Sequence, residues 1–283
     1  MASNSTFLRG PINVSEVDLE IVGGIEASSG EFPFMVSVQD KFGNHICGAS
    51  LVAEDVLLSA AHCLGGISRA RLGSSNLRSE SSGTTVIGIS DHCKHPKYDE
   101  EKMSNDLVLF QLNRPYSSNS PSVDASIVNI NKSFELHDGE QLTAIGFGST
   151  SNVNGPVSNE LREVELGYIS NSLCVQKSQY KAGWIEDSMM CAGSPRKDSC
   201  SGDSGGPLII REATVGENGE TGPLLVGVCS WGMECADKNY PGVYSRVNVA
   251  YDWIKSAICL LSKVNVDGCD DLEFLARDTL CGN

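Results

Sequence analysis

The chain has 283 residues, of which 40% are hydrophobic and 20% charged, and a formal net charge of −15. That mixture suits a soluble globule of one large all-β domain or two small ones, and it excludes a disordered chain. No stretch approaches the roughly 20 apolar residues of a membrane helix, and the acidic balance argues against a nucleic-acid partner, whose phosphates it would repel.

Residues 1–10 (MASNSTFLRG) lack the apolar core of a signal peptide. Eleven cysteines nevertheless point to an oxidising compartment. The expectation is therefore a secreted protein whose signal lies upstream or was replaced. Asn4, Asn13 and Asn131 begin N-x-S/T sequons that permit glycosylation. Short apolar or alternating runs then recur between Gly, Ser and Asn clusters, at 34–38, 56–60, 84–89, 107–112, 141–145, 161–166, 207–210 and 224–229. Their length and spacing predict the strands of an all-β sandwich or barrel. Residues 113–125 are polar, carry two prolines and read as a linker between halves. Residues 211–223 (REATVGENGETGP) read as a polar, Gly-rich loop inserted between two strands. Asn248 is placed to cap a helix running through Val249, Trp253, Ile254 and Ala257. The tail from 260 to 283, with five acidic and two basic residues, is either a short helix or a disordered end.

Reactive side chains concentrate in three islands. Ser59-Ala60-Ala61-His62-Cys63 supplies an imidazole. Ser104-Asn105-Asp106-Leu107 supplies a carboxylate. Gly202-Asp203-Ser204-Gly205-Gly206-Pro207 supplies a hydroxyl. A serine hydroxyl is a weak nucleophile that needs an adjacent base, and the base needs an orienting group. The three occur in the order His, Asp, Ser, which distinguishes one fold solution of this chemistry from its unrelated counterparts. A fourth island, Ile21-Val22-Gly23-Gly24, precedes them. With these motifs the sequence resembles the trypsin/chymotrypsin family of serine proteases, trypsin-like branch, from residue 21 to about residue 258.

The resemblance implies two six-stranded antiparallel β-barrels, about 21–120 and 121–258, with the active site in the cleft between them and a C-terminal helix. Residues 1–20 would be an activation segment and 259–283 a cysteine-containing tail. It assigns Ser204 as nucleophile, His62 as base and Asp106 as orienter, with Ser230 supporting the aspartate. The backbone N–H groups of Gly202 and Ser204 would form the oxyanion hole. Asp198 would close the base of the specificity pocket, with Trp231, Gly232 and Gly242 at its walls. A carboxylate buried there is costly unless a cation pairs with it, so the expected substrates are proteins or peptides cleaved after Arg or Lys. Ser201 departs from the glutamine that many members carry. Cleavage before Ile21 would free an ammonium group to pair with Asp203, a proteolytic switch. Glu20 stands where a basic residue is usual, and an Asp198 pocket would repel it, so a separate activating protease is expected. Protein inhibitors are a further partner class.

The family pattern also implies disulfides Cys47–Cys63, Cys174–Cys191 and Cys200–Cys235. A fourth family bridge would fall at Leu142 and Ile210, where both residues are apolar here. Cys93, Cys229, Cys259, Cys269 and Cys281 remain, an odd number whose connectivity stays open. Cys229 reads as a small buried hydrophobe, and Cys269 and Cys281 as clips for the tail. The stretch from Leu72 to Glu80, at the place of trypsin's calcium loop, has a single acidic residue, too few for calcium. No metal or cofactor is expected. The competing reading is a silent or rarely activated homologue that binds a partner protein. Such homologues usually lack a catalytic residue, and all three are present.

Overall fold

The computed structural model describes residues 24–79, 83–116, 125–149, 155–215, 219–237, 239–269 and 276–282. In chain order the strands are β1 (Ile25–Glu26), β2 (Met35–Gln39), β3 (His45–Ala53), β4 (Val56–Ser59), β5 (Arg69–Leu72), β6 (Thr85–Lys94) and β7 (Val108–Leu112). There follow β8 (Asn129–Ile130), β9 (Gln141–Gly146), β10 (Arg162–Ile169), β11 (Met189–Gly193), β12 (Pro207–Val215), β13 (Glu220–Trp231) and β14 (Gly242–Arg246). Helices are α1 (Asn171–Lys177), α2 (Tyr251–Leu261) and α3 (Arg277–Leu280).

Two antiparallel barrels result. The first closes in the order β2-β3-β4-β7-β6-β5. The second closes as β9-β10-β11-β14-β13-β12, with β12 returning to β9. The expected pair of six-stranded barrels is therefore present, with β1 and β8 as short additions.

Side chains alternate along a strand, so a strand buried on both faces reads as a continuous apolar run. In β7, Val108, Phe110 and Leu112 fill the first barrel. Leu109, between them, joins a second cluster that draws on both barrels and α2. In β13, Leu224 and Val226 fill the second barrel, whereas Leu225 and Val228 join the shared cluster. This shared apolar seam holds the two barrels together and fixes the cleft between them. Leu142 and Ile210, at the position of the absent family bridge, both lie in the second barrel's core.

Two predicted elements differ. The polar stretch 211–223 is largely strand: Ala213 pairs with Gly222, Thr214 with Thr221 and Val215 with Glu220, extending the hairpin of β12 and β13. Asn248 does not cap the late helix. It begins a 3₁₀ turn, Asn248–Ala250, and α2 starts at Tyr251 with no side-chain cap. Ile254, Ala257, Ile258 and Leu261 form the buried stripe of α2 at helical spacing.

The tail is stapled to the first barrel. Cys93 on β6 pairs with Cys281, and Cys259 on α2 with Cys269. Trp253 Nε1 donates to the Leu280 carbonyl at 2.9 Å, and Gly282 N–H to the Lys94 carbonyl at 2.8 Å. Buried Asp55 accepts from Ser262 Oγ at 2.6 Å and Lys263 N–H at 2.7 Å. Of the sequons, Asn131 is 2% exposed and its amide is bonded both ways to the backbone of Phe134. Asn4 and Asn13 lie outside the described residues.

Candidate active site

His62 lies in a 3₁₀ turn, Ala61–Leu64, directly after β4. Asp106 lies on the loop between β6 and β7, fully buried, in a tight turn closed by Leu107 N–H to the Asn105 carbonyl at 2.8 Å. Asn105, which opens the turn, is at φ +50, a left-handed conformation asparagine tolerates. The Asp106 carboxylate takes His62 Nδ1–H at 2.7 Å on Oδ2 and the His62 backbone N–H at 2.9 Å on Oδ1. Ser230 Oγ, from β13 of the other barrel, donates to the same Oδ2. An acceptor-only carboxylate on Nδ1 leaves Nε2 as the imidazole's free base position.

Ser204 sits on the turn before β12. Its carbonyl accepts Gly48 N–H from β3 at 2.7 Å. Gly205 follows at φ +77, and a Cβ there would lie 2.2 Å from Ser59 Oγ and 3.2 Å from Ala60 N. A Cβ on Gly206 or Gly48 would also collide with backbone. The glycines therefore let the serine turn dock directly on the segment that carries His62. Ser204 Oγ makes no hydrogen bond to His62, and hydrogen bonds of this kind commonly tighten only when substrate binds.

Around Ser204 the backbone amides divide. The N–H groups of Cys200, Asp203, Gly205 and Gly206 all have protein acceptors. Those of Gly202 and Ser204 have none among the described residues. Both are aimed by the carbonyl of their own peptide unit. Ser201 O accepts Ser149 N–H at 2.7 Å, and Asp203 O accepts Gly206 N–H at 2.8 Å, which turns the two free N–H groups the other way. Gly202 is at φ +100, and a Cβ on it would lie 2.9 Å from Val157 Cγ1.

Beside Ser204 opens a cavity of about 180 Å³. Asp198 lines it, 3% exposed; its Oδ2 accepts Ala236 N–H at 3.1 Å, whereas its Oδ1 has no partner among the described residues. Burial lifts the Asp198 carboxyl to about 7. Gly242 must lack a side chain, because a Cβ would sit 2.7 Å from that Oδ1, and a Cβ on Gly232 would point into open space. Ser230 and Trp231 complete the wall. Cys200–Cys235 is bridged at its entrance, and Cys47–Cys63 and Cys174–Cys191 are also formed.

The model of the Trypsin family matches residues 21–254. Trypsin alpha of Drosophila melanogaster is 33% identical over 245 residues, covering 85% of this chain and 88% of the relative. Trypsin alpha-4 of Lucilia cuprina is 34% identical over 248 residues, covering 86% and 89%. The chain belongs to the trypsin family of serine proteases.

Two features of this trypsin-family site, at His45 and Arg71, are not legible in the sequence, and a third, Asp203, is. His45 on β3 donates from Nε2 to the Gly202 carbonyl at 2.9 Å, and its Nδ1 accepts from Ser37 Oγ at 2.8 Å. A carbonyl can only accept, so Nε2 carries the proton; burial lowers the His45 pKa and keeps the ring neutral. His45 thus braces the peptide next to the free amides. In the 72–79 loop, Arg71 donates to the Asn76 and Ser79 carbonyls, so a guanidinium of the chain itself occupies the loop. Asp203, 3% exposed, accepts from Gly148 and Cys200 N–H at 2.8 Å each; burial raises it to about 6, and no cationic side chain pairs with it among the described residues. Ile21, its expected partner, lies outside the described residues, as does Glu20. Among the described residues the one grouping tight enough for a metal is Cys47, His62 and Cys63, and both sulfurs are in a disulfide.

Proposed function

We propose that this serine protease is a secreted endopeptidase cleaving after Arg or Lys, made as a precursor that is opened before Ile21. The observation that carries the specificity is Asp198: a buried carboxylate with an unpartnered Oδ1 in a cavity beside Ser204. A long side chain ending in a guanidinium or ammonium supplies the missing partner and places its own carbonyl at the serine. Residues 1–20 act as the activation segment, 21–258 as the protease and 259–283 as the clipped tail.

In this mechanism Ser204 Oγ attacks the carbonyl while His62 Nε2 takes its proton. Asp106, held by Ser230 and by His62's own backbone, keeps the proton on Nδ1 and stabilises the imidazolium. The free Gly202 and Ser204 N–H groups receive the oxyanion. His62 then protonates the leaving amine, and water repeats the cycle on the acyl-enzyme. Asp203 completes the switch. Among the described residues no cation reaches its buried carboxylate, and the Ile21 ammonium released by cleavage would pair with it. The five disulfides support an extracellular setting.

The test is the full chain carrying Glu20→Lys, treated with a trypsin-like activator and profiled on a peptide library. An Ile21 terminus with cleavage after Arg and Lys is expected. Cleavage mainly after Phe, Leu or Glu overturns the specificity, and an Ile21 terminus with no turnover identifies a silent, partner-binding homologue.

A further inference from the structure

Ten of the eleven cysteines form disulfides, and Cys229 is left as a thiol. It belongs to the buried cluster of the second barrel and also borders a cavity. Cys229 lines the same cavity as Asp198 and Ser204, 9% exposed, and its Sγ–H points to Ser199 Oγ at 3.5 Å. Burial, with the Asp203 and Asp198 carboxylates nearby, holds the thiol well above its usual pKa. It therefore stays protonated and slow toward neutral or anionic oxidants. Glu234, exposed on the rim of the cavity, adds a second negative charge to its mouth.

We propose that Cys229 is a modification site for small disulfides bearing a primary ammonium, of the cystamine class, which the specificity pocket captures by charge and Cys229 then traps. The proposal rests on the reading of Asp198 as the pocket's cation partner. The ammonium pairs with the unpartnered Asp198 Oδ1, which holds the reagent's S–S bond beside the thiol and offsets the carboxylates that suppress its ionisation. The Cys229 sulfur attacks one reagent sulfur, a new S–S bond forms and the reagent's own S–S bond breaks. Cys229 is oxidised to a mixed disulfide. The departing half is reduced, takes up the Cys229 proton and leaves as an aminothiol. The attached aminoethylthio group fills the cavity that substrate Arg or Lys would enter, so protease activity becomes sensitive to the aminothiol redox state. Glutathione disulfide, acidic overall, is excluded.

The folded full chain, before and after cleavage at Ile21, is incubated with cystamine, with 2-hydroxyethyl disulfide and with glutathione disulfide, and followed by intact mass and peptide mapping. The expected result is one aminoethylthio group on Cys229, formed on the order of tenfold faster than the neutral adduct. Benzamidine should slow it, and Arg-amide hydrolysis should fall in proportion to the adduct. Asp198→Asn should remove most of the charge preference, and Cys229→Val should make activity insensitive relative to its own untreated rate. Equal rates for cationic and neutral reagents, or no Cys229 adduct while the unfolded chain is labelled, overturns the proposal. Benzamidine binding measured on the same sample separates the two ideas. If benzamidine binds and Cys229 is not captured, the thiol proposal falls alone; if benzamidine does not bind, the pocket reading falls with it.

Discussion

Consider the affinity of the pocket for a cation as the pH is lowered. Asp198 ionises at about 7 instead of its ordinary 3.8, because burial strips the carboxylate of water and its backbone N–H contacts return only part of that. That lift corresponds to about 4 kcal/mol of lost carboxylate stabilisation. A bound amidinium restores it, so the cation binds the ionised form and must displace a proton wherever the pocket is protonated. Below about pH 7 affinity for benzamidine should fall roughly tenfold per pH unit; above it the affinity should level off. Between pH 8 and pH 5 the loss is on the order of 100-fold, with nearly one proton released per ligand at the acid end. Calorimetry in buffers of different ionisation enthalpy measures both quantities. Asp198→Asn should bind weakly and without this pH dependence, which assigns the dependence to Asp198. Equal affinity at pH 5 and pH 8 in the unmodified chain would refute the reasoning.

Two further outcomes follow from local geometry. Gly202→Ala places a Cβ 2.9 Å from Val157 Cγ1 at φ +100 and tilts one free amide. The activated enzyme should lose on the order of 10²–10³ in kcat, with KM little changed, and steady-state kinetics on an Arg-amide would show it. Replacing Cys93 and Cys281 together with Ala opens a bridge spanning 188 residues. Urea denaturation should register a loss of roughly 2–4 kcal/mol, and an unchanged midpoint would show that the noncovalent contacts of Trp253 and Asp55 hold the tail alone.

Much of the fold was legible because apolar strands announce themselves when both faces are buried, as in β4 and β7. Two of the strands outside those runs show why they are harder to read. β3 carries Gly48 where the serine turn packs onto it, and β11 is built of Met, Cys, Ala and Gly, residues with little β signature. The 211–223 hairpin was hidden because its polar strands extend beyond the core, and Asn248 misled because its side chain caps nothing. The candidate triad was readable from short motifs whose flanking glycines are required by close backbone approach. His45 was not, since its role exists only through a contact 157 residues away. The tail's pairing was equally hidden, because the five cysteines left open permit several connectivities that only the fold decides.

The central claim, that Ser204 is a nucleophile armed by His62 and switched on by release of Ile21, is tested most directly by covalent labelling. The full chain and its form cleaved before Ile21 are treated with a fluorophosphonate and mapped by mass spectrometry. One label per molecule on Ser204, rapid only after cleavage and absent in Ser204→Ala, is the expected result. A label on another residue, or the same rapid labelling of Ser204 in the uncleaved chain, would contradict it.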